Sequence, residues 1–398
     1  MKPYHETDRG KIYHGDNIAV MKTLASESVD FMVTDPNYGL GFMGKAWDKK
    51  VPSVETWKEA LRLLKPGSFA FIMSSPRQDV LAQNIVNLNE AGFVVTFTPV
   101  YWTYASGFPK AVNIGKAMGK KGEEGKTLDG AYGGFQPKPA VEVIIVAMKP
   151  MTEKTYVEQA MKNGKGITWL RDGSIPFVND KDRQGSEIGF EHPYMSETAN
   201  EGWKRPCHEK YEAWNPNERG RFPANLLVSD DVLNDGRVFD RGGSVSGGVP
   251  NNKVYGEFNN ERNVFQACGD AGSYSKYFDL DRWFEERLKR LPPEVRETFP
   301  FLIVAKPGKS EKNKGLERLS IDNDHPTVKP VKLKAYLLTI GGRPGETVLD
   351  LCMGSGTTPT ACEMLGYKYI AIDNDKESCD IAVARVEDEG RQKKLFEG

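Results

Sequence analysis

Glu346-Thr347-Val348-Leu349-Asp350-Leu351-Cys352-Met353-Gly354-Ser355-Gly356-Thr357-Thr358-Pro359 reads as a strand, a glycine turn and the start of a helix. Two glycines let the backbone approach a ligand closely. The helix N-terminus that follows favours negative charge. Pro359 suits a first helical turn, where its missing N–H does no harm. The helix predicted over 357–365 stops at Gly366, and Tyr369-Ile370-Ala371-Ile372-Asp373 is a second strand. Asp373, at its end, can hydrogen-bond both ribose hydroxyls of a nucleoside. A dinucleotide site wants a third glycine near Pro359, and none is present. A nucleoside ligand without a pyrophosphate fits better.

Working outward, strand-like and helix-like runs alternate in both end regions. Strands are predicted at 11–16, 29–34, 69–73, 92–97 and 141–147, and helices at 18–24, 57–64, 80–88, 331–338 and 378–386. Such alternation implies an α/β fold with a parallel sheet. Parallel sheets bury both faces, which accounts for uninterrupted apolar runs such as Val141-Glu142-Val143-Ile144-Ile145-Val146-Ala147. Between about 151 and 325 the pattern degrades and Gly, Asn, Asp and Arg rise, although apolar islands and aromatic residues persist. The expected organisation is a first catalytic part at 1–150, a large inserted region at 151–324 and a second catalytic part at 325–398.

The chain has 398 residues, is 39% hydrophobic and carries a net charge of −1, so it can bury a sizeable core. The near-neutral total does not decide about nucleic acid, because a patch matters more than a sum. The stretch 306–334 leans basic, with acidic residues interspersed. The five cysteines include no Cys-x-x-Cys pair, so neither a disulfide framework nor a metal site is expected. No apolar run reaches the length of about 18 residues that a membrane helix needs, and the N-terminus is polar. A cytoplasmic protein is the expectation.

Asp35-Pro36-Asn37-Tyr38 follows the buried strand at 29–34 directly. In a parallel sheet that is the carboxyl edge, where ligands bind. Asp35 offers an acceptor for an amino N–H, Pro36 fixes the turn and keeps its carbonyl free, and Tyr38 offers a face for a base to stack on. Two acceptors aimed at one amino group would draw its lone pair out of conjugation, ready to attack an electrophilic methyl. Taken alone, the tetrapeptide is also an ordinary turn of good turn residues.

Together these stretches resemble a known family. Asp35 to Tyr38 is similar to the Asp-Pro-Pro-Tyr motif of amino-group DNA methyltransferases, and Asp350 to Thr358 resembles their Asp-Pro-Phe-x-Gly-Ser-Gly-Thr-Thr motif. His325-Pro326-Thr327-Val328-Lys329-Pro330 looks like their His-Pro-Thr-x-Lys-Pro segment, and Gly15-Asp16 like an early Gly-Asp pair. The order, catalytic turn first and cofactor turn last, is that of the β group. Segments 41–48, 106–110 and 220–225 look like those of phage-type members.

The resemblance implies a Rossmann-like class I S-adenosylmethionine methyltransferase sheet, in circularly permuted motif order, with a large inserted target-recognition domain. It implies S-adenosyl-L-methionine as cofactor, double-stranded DNA as partner, a homodimer among the expected assemblies, and a bacterial or phage-infected bacterial cell. Asp16, Lys329, Asp350, Cys352, Gly354, Ser355, Gly356, Thr357, Thr358 and Asp373 would hold the cofactor, with Asp16 near its adenine and Lys329 near its methionine end. Asp35, Pro36, Asn37 and Tyr38 would form the catalytic turn around a flipped base. The strands containing Leu349 and Val33 would be neighbours at the point where strand order reverses.

An initial Asp in the catalytic motif favours adenine N6 over cytosine N4 as acceptor. Asn37 replaces the second proline and leaves the turn freer. That departure is compatible with a different class, a DNA-binding or masking protein with weakened catalysis. Arg219, Arg221 and Asn225 are candidate base readers, with a structural role as the plainer reading.

Overall fold

The fold is taken from a computed structural model that describes residues 1–41, 49–104, 111–121, 128–135, 137–138, 140–184, 220–229, 231, 233–234, 239–240, 244–246, 264–266, 271–289, 309–316, 323 and 328–396. The elements that place the site are strands β1 (His5–Glu6), β2 (Gly10–His14), β3 (Phe31–Thr34), β4 (Phe69–Ser74), β5 (Val100–Thr103), β6 (Val141–Met148), β7 (Leu226–Val228), β8 (Thr347–Asp350) and β9 (Lys368–Asp373). They form one nine-stranded sheet in the order β1-β2-β9-β8-β3-β4-β6-β5-β7. The strands β2, β9, β8, β3 and β4 run parallel. The expectation of a parallel sheet needs correcting at β1, antiparallel to β2, and at β6, antiparallel to both β4 and β5.

Helices cover the sheet: α1 (Asn17–Lys22), α2 (Val54–Leu63), α3 (Gln78–Ala91), α4 (Tyr156–Asn163), α5 (Leu280–Leu288), α6 (Val331–Gly341), α7 (Thr357–Leu365) and α8 (Lys376–Phe396). The apolar strands divide their side chains between two cores. Phe31 and Val33 join Phe71, Tyr336 and Leu337 on one side. Met32 joins Ile72, Trp57, Leu88 and Leu349 on the other. Alternation across the strand is the reason a fully apolar run is stable there.

The strand expected at 92–97 is displaced. Gly92 caps α3 in a left-handed conformation, φ 104°, and of 92–97 only Val94 pairs, in a bridge to Met148. Regular pairing resumes at Val100 opposite Ile144. Residues 95–99 lie opposite only 145–147, so the ladder breaks, and Pro99 has no N–H to give it.

Part of 151–324 is built into the same body. β7 extends the sheet parallel to β5, and Trp283 of α5 meets Tyr336 of α6 edge to face, ring centroids 4.9 Å apart. Lys332 of α6 pairs with Asp281 of α5. No helix among the described residues is long and apolar enough to cross a membrane.

Strand order reverses between β8 and β3, which pair in parallel at Val348–Phe31 and Leu349–Met32. A crevice opens at the carboxyl ends of such a pair. Asp350 ends β8, and Asp35 immediately follows β3. The two motifs of the sequence thus flank one opening.

Candidate active site

Asp35 is the hinge of the site. Its Oδ1 accepts from Tyr38 Oη at 2.8 Å, and its Oδ2 accepts from Lys329 Nζ at 2.7 Å. Tyr38 Oη also lies 3.0 Å from Glu142 Oε2, and Lys329 Nζ lies 3.4 Å from the same oxygen. The ammonium is 5.2 Å from the centre of the Tyr38 ring, within cation–π range. Lys329, expected beside the methionine end of a cofactor, thus has its charge on Asp35 of the catalytic turn and on Glu142 of β6.

These contacts set the charge states. Burial opposes ionisation of Asp35, but the Lys329 and Lys334 ammonium groups outweigh it and hold the carboxyl below its usual range. Burial likewise opposes the Lys329 charge, and Asp35 and Glu142 overcome it, so its pKa is raised. Burial and the Asp35 and Glu142 charges push the Tyr38 phenol well up. Burial and Glu142 do the same to Tyr104. At neutral pH the site therefore holds an ionised Asp35, a charged Lys329 and neutral phenols.

Pro36 is buried beneath the turn. Asn37 donates from Nδ2 to the Lys50 carbonyl. The freedom expected from losing a proline is countered by this tie.

Across the crevice, Asp350 Oδ1 accepts from Thr34 Oγ1 at 2.8 Å and from the Cys352 N–H at 3.1 Å. One hydroxyl thus pins the end of β8 to the end of β3. Burial raises the Asp350 carboxyl, with Lys334 pulling the other way. Asp373 Oδ2 accepts from the Gly354 N–H at 2.8 Å, and Oδ1 from Asp375 N–H at 2.9 Å. The carboxylate expected to meet a ribose thus shapes the glycine turn. Burial pushes its pKa up.

Gly354 and Gly356 have φ of 53° and 84°, in the left-handed region that favours glycine. A Cβ on Gly356 would sit 2.6 Å from Ala382 Cβ, so the turn presses against α8. The Ser355 carbonyl accepts from Arg385 Nη1 at 2.8 Å. Thr357 and Thr358 are buried at the start of α7, and no side chain caps that helix. Its first N–H groups therefore have no side-chain acceptor.

Asp16 caps α1, accepting from Ala19 N–H at 2.9 Å. Asn17 reaches the Leu351 carbonyl at 3.3 Å and Cys352 Sγ at 3.7 Å, so this loop closes onto the glycine turn. Burial pushes the Cys352 thiol well up, which keeps it neutral.

Glu142, Thr34, Asn17, Lys334, Tyr104 and Arg385 were not singled out from sequence as site residues. Glu142 did leave a signal, as the one charge inside the apolar run of 141–148. Among the candidate base readers, Arg221 donates from Nη1 to Asp182 Oδ2 at 2.8 Å and stacks on Phe177 and Tyr277. Asn225 donates to the Pro99 carbonyl at 3.3 Å. Both have structural partners. Arg219, segments 42–48 and 106–110, and His325, Pro326 and Thr327 lie outside the described residues.

Comparison with known proteins adds to this geometry. A family model described as DNA methylase, of the N6/N4 methyltransferases, matches residues 29–384. The type II methyltransferase M.BamHI of Bacillus amyloliquefaciens is 31% identical over 98 residues, 22% of this chain and 22% of that protein. The type II methyltransferase M2.DpnII of Streptococcus pneumoniae is 40% identical over 65 residues, 16% of this chain and 24% of that protein. The chain thus spans about a quarter of the length of the curated relatives it matches. Among solved structures, the cytosine-N4-specific PvuII DNA methyltransferase aligns over 98% of this chain and 94% of its own, at 12% identity and a TM-score of 0.48.

Proposed function

The chain belongs to the N6/N4 family of DNA methylases, and on that premise we propose that it transfers a methyl group from S-adenosylmethionine to the exocyclic amino group of a base in double-stranded DNA, with adenine N6 as the acceptor. The observation that carries this reading is the pinning of Asp350 to Thr34, the residue before Asp35. It sets a nucleoside-type turn and an amino-group acceptor side by side. The donor chemistry fits the cofactor: an acidic residue at the end of β9 for a ribose, left-handed glycines, and an uncapped helix start for a carboxylate.

S-adenosylmethionine, when bound, supplies an electrophilic methyl on a sulfonium. Asp350, Gly354, Ser355, Gly356, Thr357, Thr358 and Asp373 would hold it, with Asp16 and Cys352 at the edge of the same turn. The residues of the catalytic turn act on the base. Asp35 and the Pro36 carbonyl accept the amino hydrogens, and Tyr38 stacks on the ring once the base has left the helix. As nitrogen gains the methyl group it loses a proton, and the ionised Asp35 is the acceptor in reach. Lys329 keeps Asp35 ionised beforehand. Catalysis then rests on position and preset charge.

The choice of adenine rests on an Asp at the start of the motif. Residues 151–324 would carry target recognition between the catalytic parts 1–150 and 325–398. Incubating the protein with duplex DNA and methyl-labelled cofactor, then analysing nucleosides by mass spectrometry, tests both levels. N6-methyladenine is expected. N4-methylcytosine alone overturns the base assignment, and absence of any methylated base overturns the activity.

A further inference from the structure

Three lysines are buried at or near the start of α6: Lys329, Lys332 and Lys334. Lys329 pairs with Asp35 and Glu142, and Lys332 with Asp281. Lys334 Nζ is buried and has no hydrogen-bond partner among the described residues. An unpaired ammonium in a protein interior is costly. Its neighbours Leu333, Leu337 and Leu338 are fully buried and apolar, so a methionine of similar length suits the position. A charge retained at such a place calls for a use.

Its field has a direction. The titratable groups that face it are Asp35 after β3, Asp350 at the end of β8 and Cys362 on α7. Asp350 in turn faces Asp373 and Cys352. Lys334 sits on α6, which packs against β3 and α7, the elements just before Asp35 and just after the turn that follows Asp350. Asp35, Glu142 and Asp350 together bring three negative charges, and Lys329 reaches only the first two.

We propose that Lys334 is a positioning residue for methyl transfer, its buried charge balancing the Asp35 and Asp350 carboxylates on the two sides of the crevice at once. The inference rests on the methyltransferase reading above. It gives Asp350 a counter-charge that no salt bridge among the described residues supplies, and it explains why two acidic groups can face one crevice. Without it, one of the two takes up a proton more readily, and either the cofactor turn or the amino-group acceptor loses its charge.

The test uses the full chain with Lys334→Met and, as a contrast, Lys332→Met. Lys334→Met is expected to melt at or above the wild-type temperature, whereas Lys332→Met strands Asp281 and melts lower. In aspartate carboxyl-labelled protein, the Asp35 and Asp350 carbon resonances, assigned with Asp35→Asn and Asp350→Asn, are expected to titrate about one pH unit higher in Lys334→Met. Turnover is expected to fall by up to about tenfold in the acid limb, where the carboxyls titrate, with the deficit shrinking as pH rises to neutrality. Lys334→Gln serves the same comparison if the methionine variant does not fold. Unmoved carboxyl titrations overturn the proposal, as does a turnover deficit constant with pH. A wild-type protein that transfers no methyl group overturns the activity instead, and the carboxyl titration still decides the role of Lys334.

Discussion

Lys329 Nζ sits 2.7 Å from Asp35 Oδ2, joining a residue just before α6 to one just after β3. The pair is almost wholly enclosed, with side-chain exposures of 7% and 16%. Its Coulomb attraction is therefore little screened.

Removing the cation should be felt first in acid. The Asp35 carboxyl is held below its usual range chiefly against burial, so Lys329→Met frees burial to raise it. The expected result is a fall in kcat/KM that deepens toward acid pH and recovers as pH rises past the displaced Asp35 titration. A pH profile of kcat/KM from 6 to 9 checks it. An equally depressed, flat profile contradicts the role of Lys329 as a holder of charge.

Glu142 shares the Tyr38 hydroxyl and the Lys329 ammonium with Asp35. Glu142→Gln keeps an acceptor for Tyr38 but removes a charge. Burial and two carboxylates push the Tyr38 phenol up, so the variant should lower that pKa. A neutral Gln also leaves Lys329 to Asp35 alone. A decrease in turnover is expected, because Tyr38 and Lys329 lose one of the two charges that position them beside Asp35. Glu142→Ala, which also removes the second acceptor of the Tyr38 hydroxyl, should lose more. Tyrosine absorbance titration and steady-state turnover together read both effects.

How much of this was legible in the sequence depends on how local each feature is. The apolar strands around Val33 and Leu349, and the turns after them, carry their own patterns. Their adjacency follows from the reversal of strand order. Glu142 and Lys334 carry no local pattern, because their meaning lies in partners far away in the chain. Arg221 looks like a base reader in isolation, and only the fold brings Asp182 to it. The displaced strand at Val100 depends on β6, whose register no segment of 92–103 encodes.

The pair formed by Arg221 and Asp182 is the anchor of the described part of 151–324. Asp182 also accepts from Lys276 at 3.0 Å and from the Val178 N–H at 2.8 Å. These donors overcome burial and lower its pKa to about 2. Because the folded value is depressed, this stabilisation is full above the ordinary carboxylate pKa and is lost as pH falls toward about 2. Arg221→Ala leaves Asp182 under-compensated and should cost about 3–5 kcal/mol. Denaturant unfolding checks the cost. If Arg221 instead read a base, the variant would keep its stability and change only its DNA preference.

Gly356 should tolerate no side chain. Its φ of 84° is strained for alanine, and the added Cβ would lie 2.6 Å from Ala382 Cβ. Gly356→Ala must shift either the turn or α8. A loss of about 1–3 kcal/mol in stability is expected from backbone strain alone. Binding of S-adenosylhomocysteine should weaken by more than the loss of folded protein explains. Calorimetric titration on the folded fraction separates the two, and unchanged affinity would remove the turn from the cofactor site.

Glu311 offers a check on stability that is independent of catalysis. It is buried, and its Oε1 accepts from the Val331 N–H at 2.8 Å at the start of α6. Burial raises its carboxyl to about 7, against the pull of Arg385 and Lys332. A carboxyl whose folded pKa exceeds the unfolded one binds more protons folded than unfolded. Stability therefore falls as pH rises from the unfolded value through about 7. Glu311→Gln keeps the acceptor for Val331 and removes the titration. The difference in melting temperature, variant minus wild type, should grow more positive from pH 5 to pH 8, by up to about 3 kcal/mol in free-energy terms. The amide brings a buried N–H that also needs a partner, but that cost does not vary with pH. It is the slope across the pH range, and not the offset at any one pH, that isolates the buried charge.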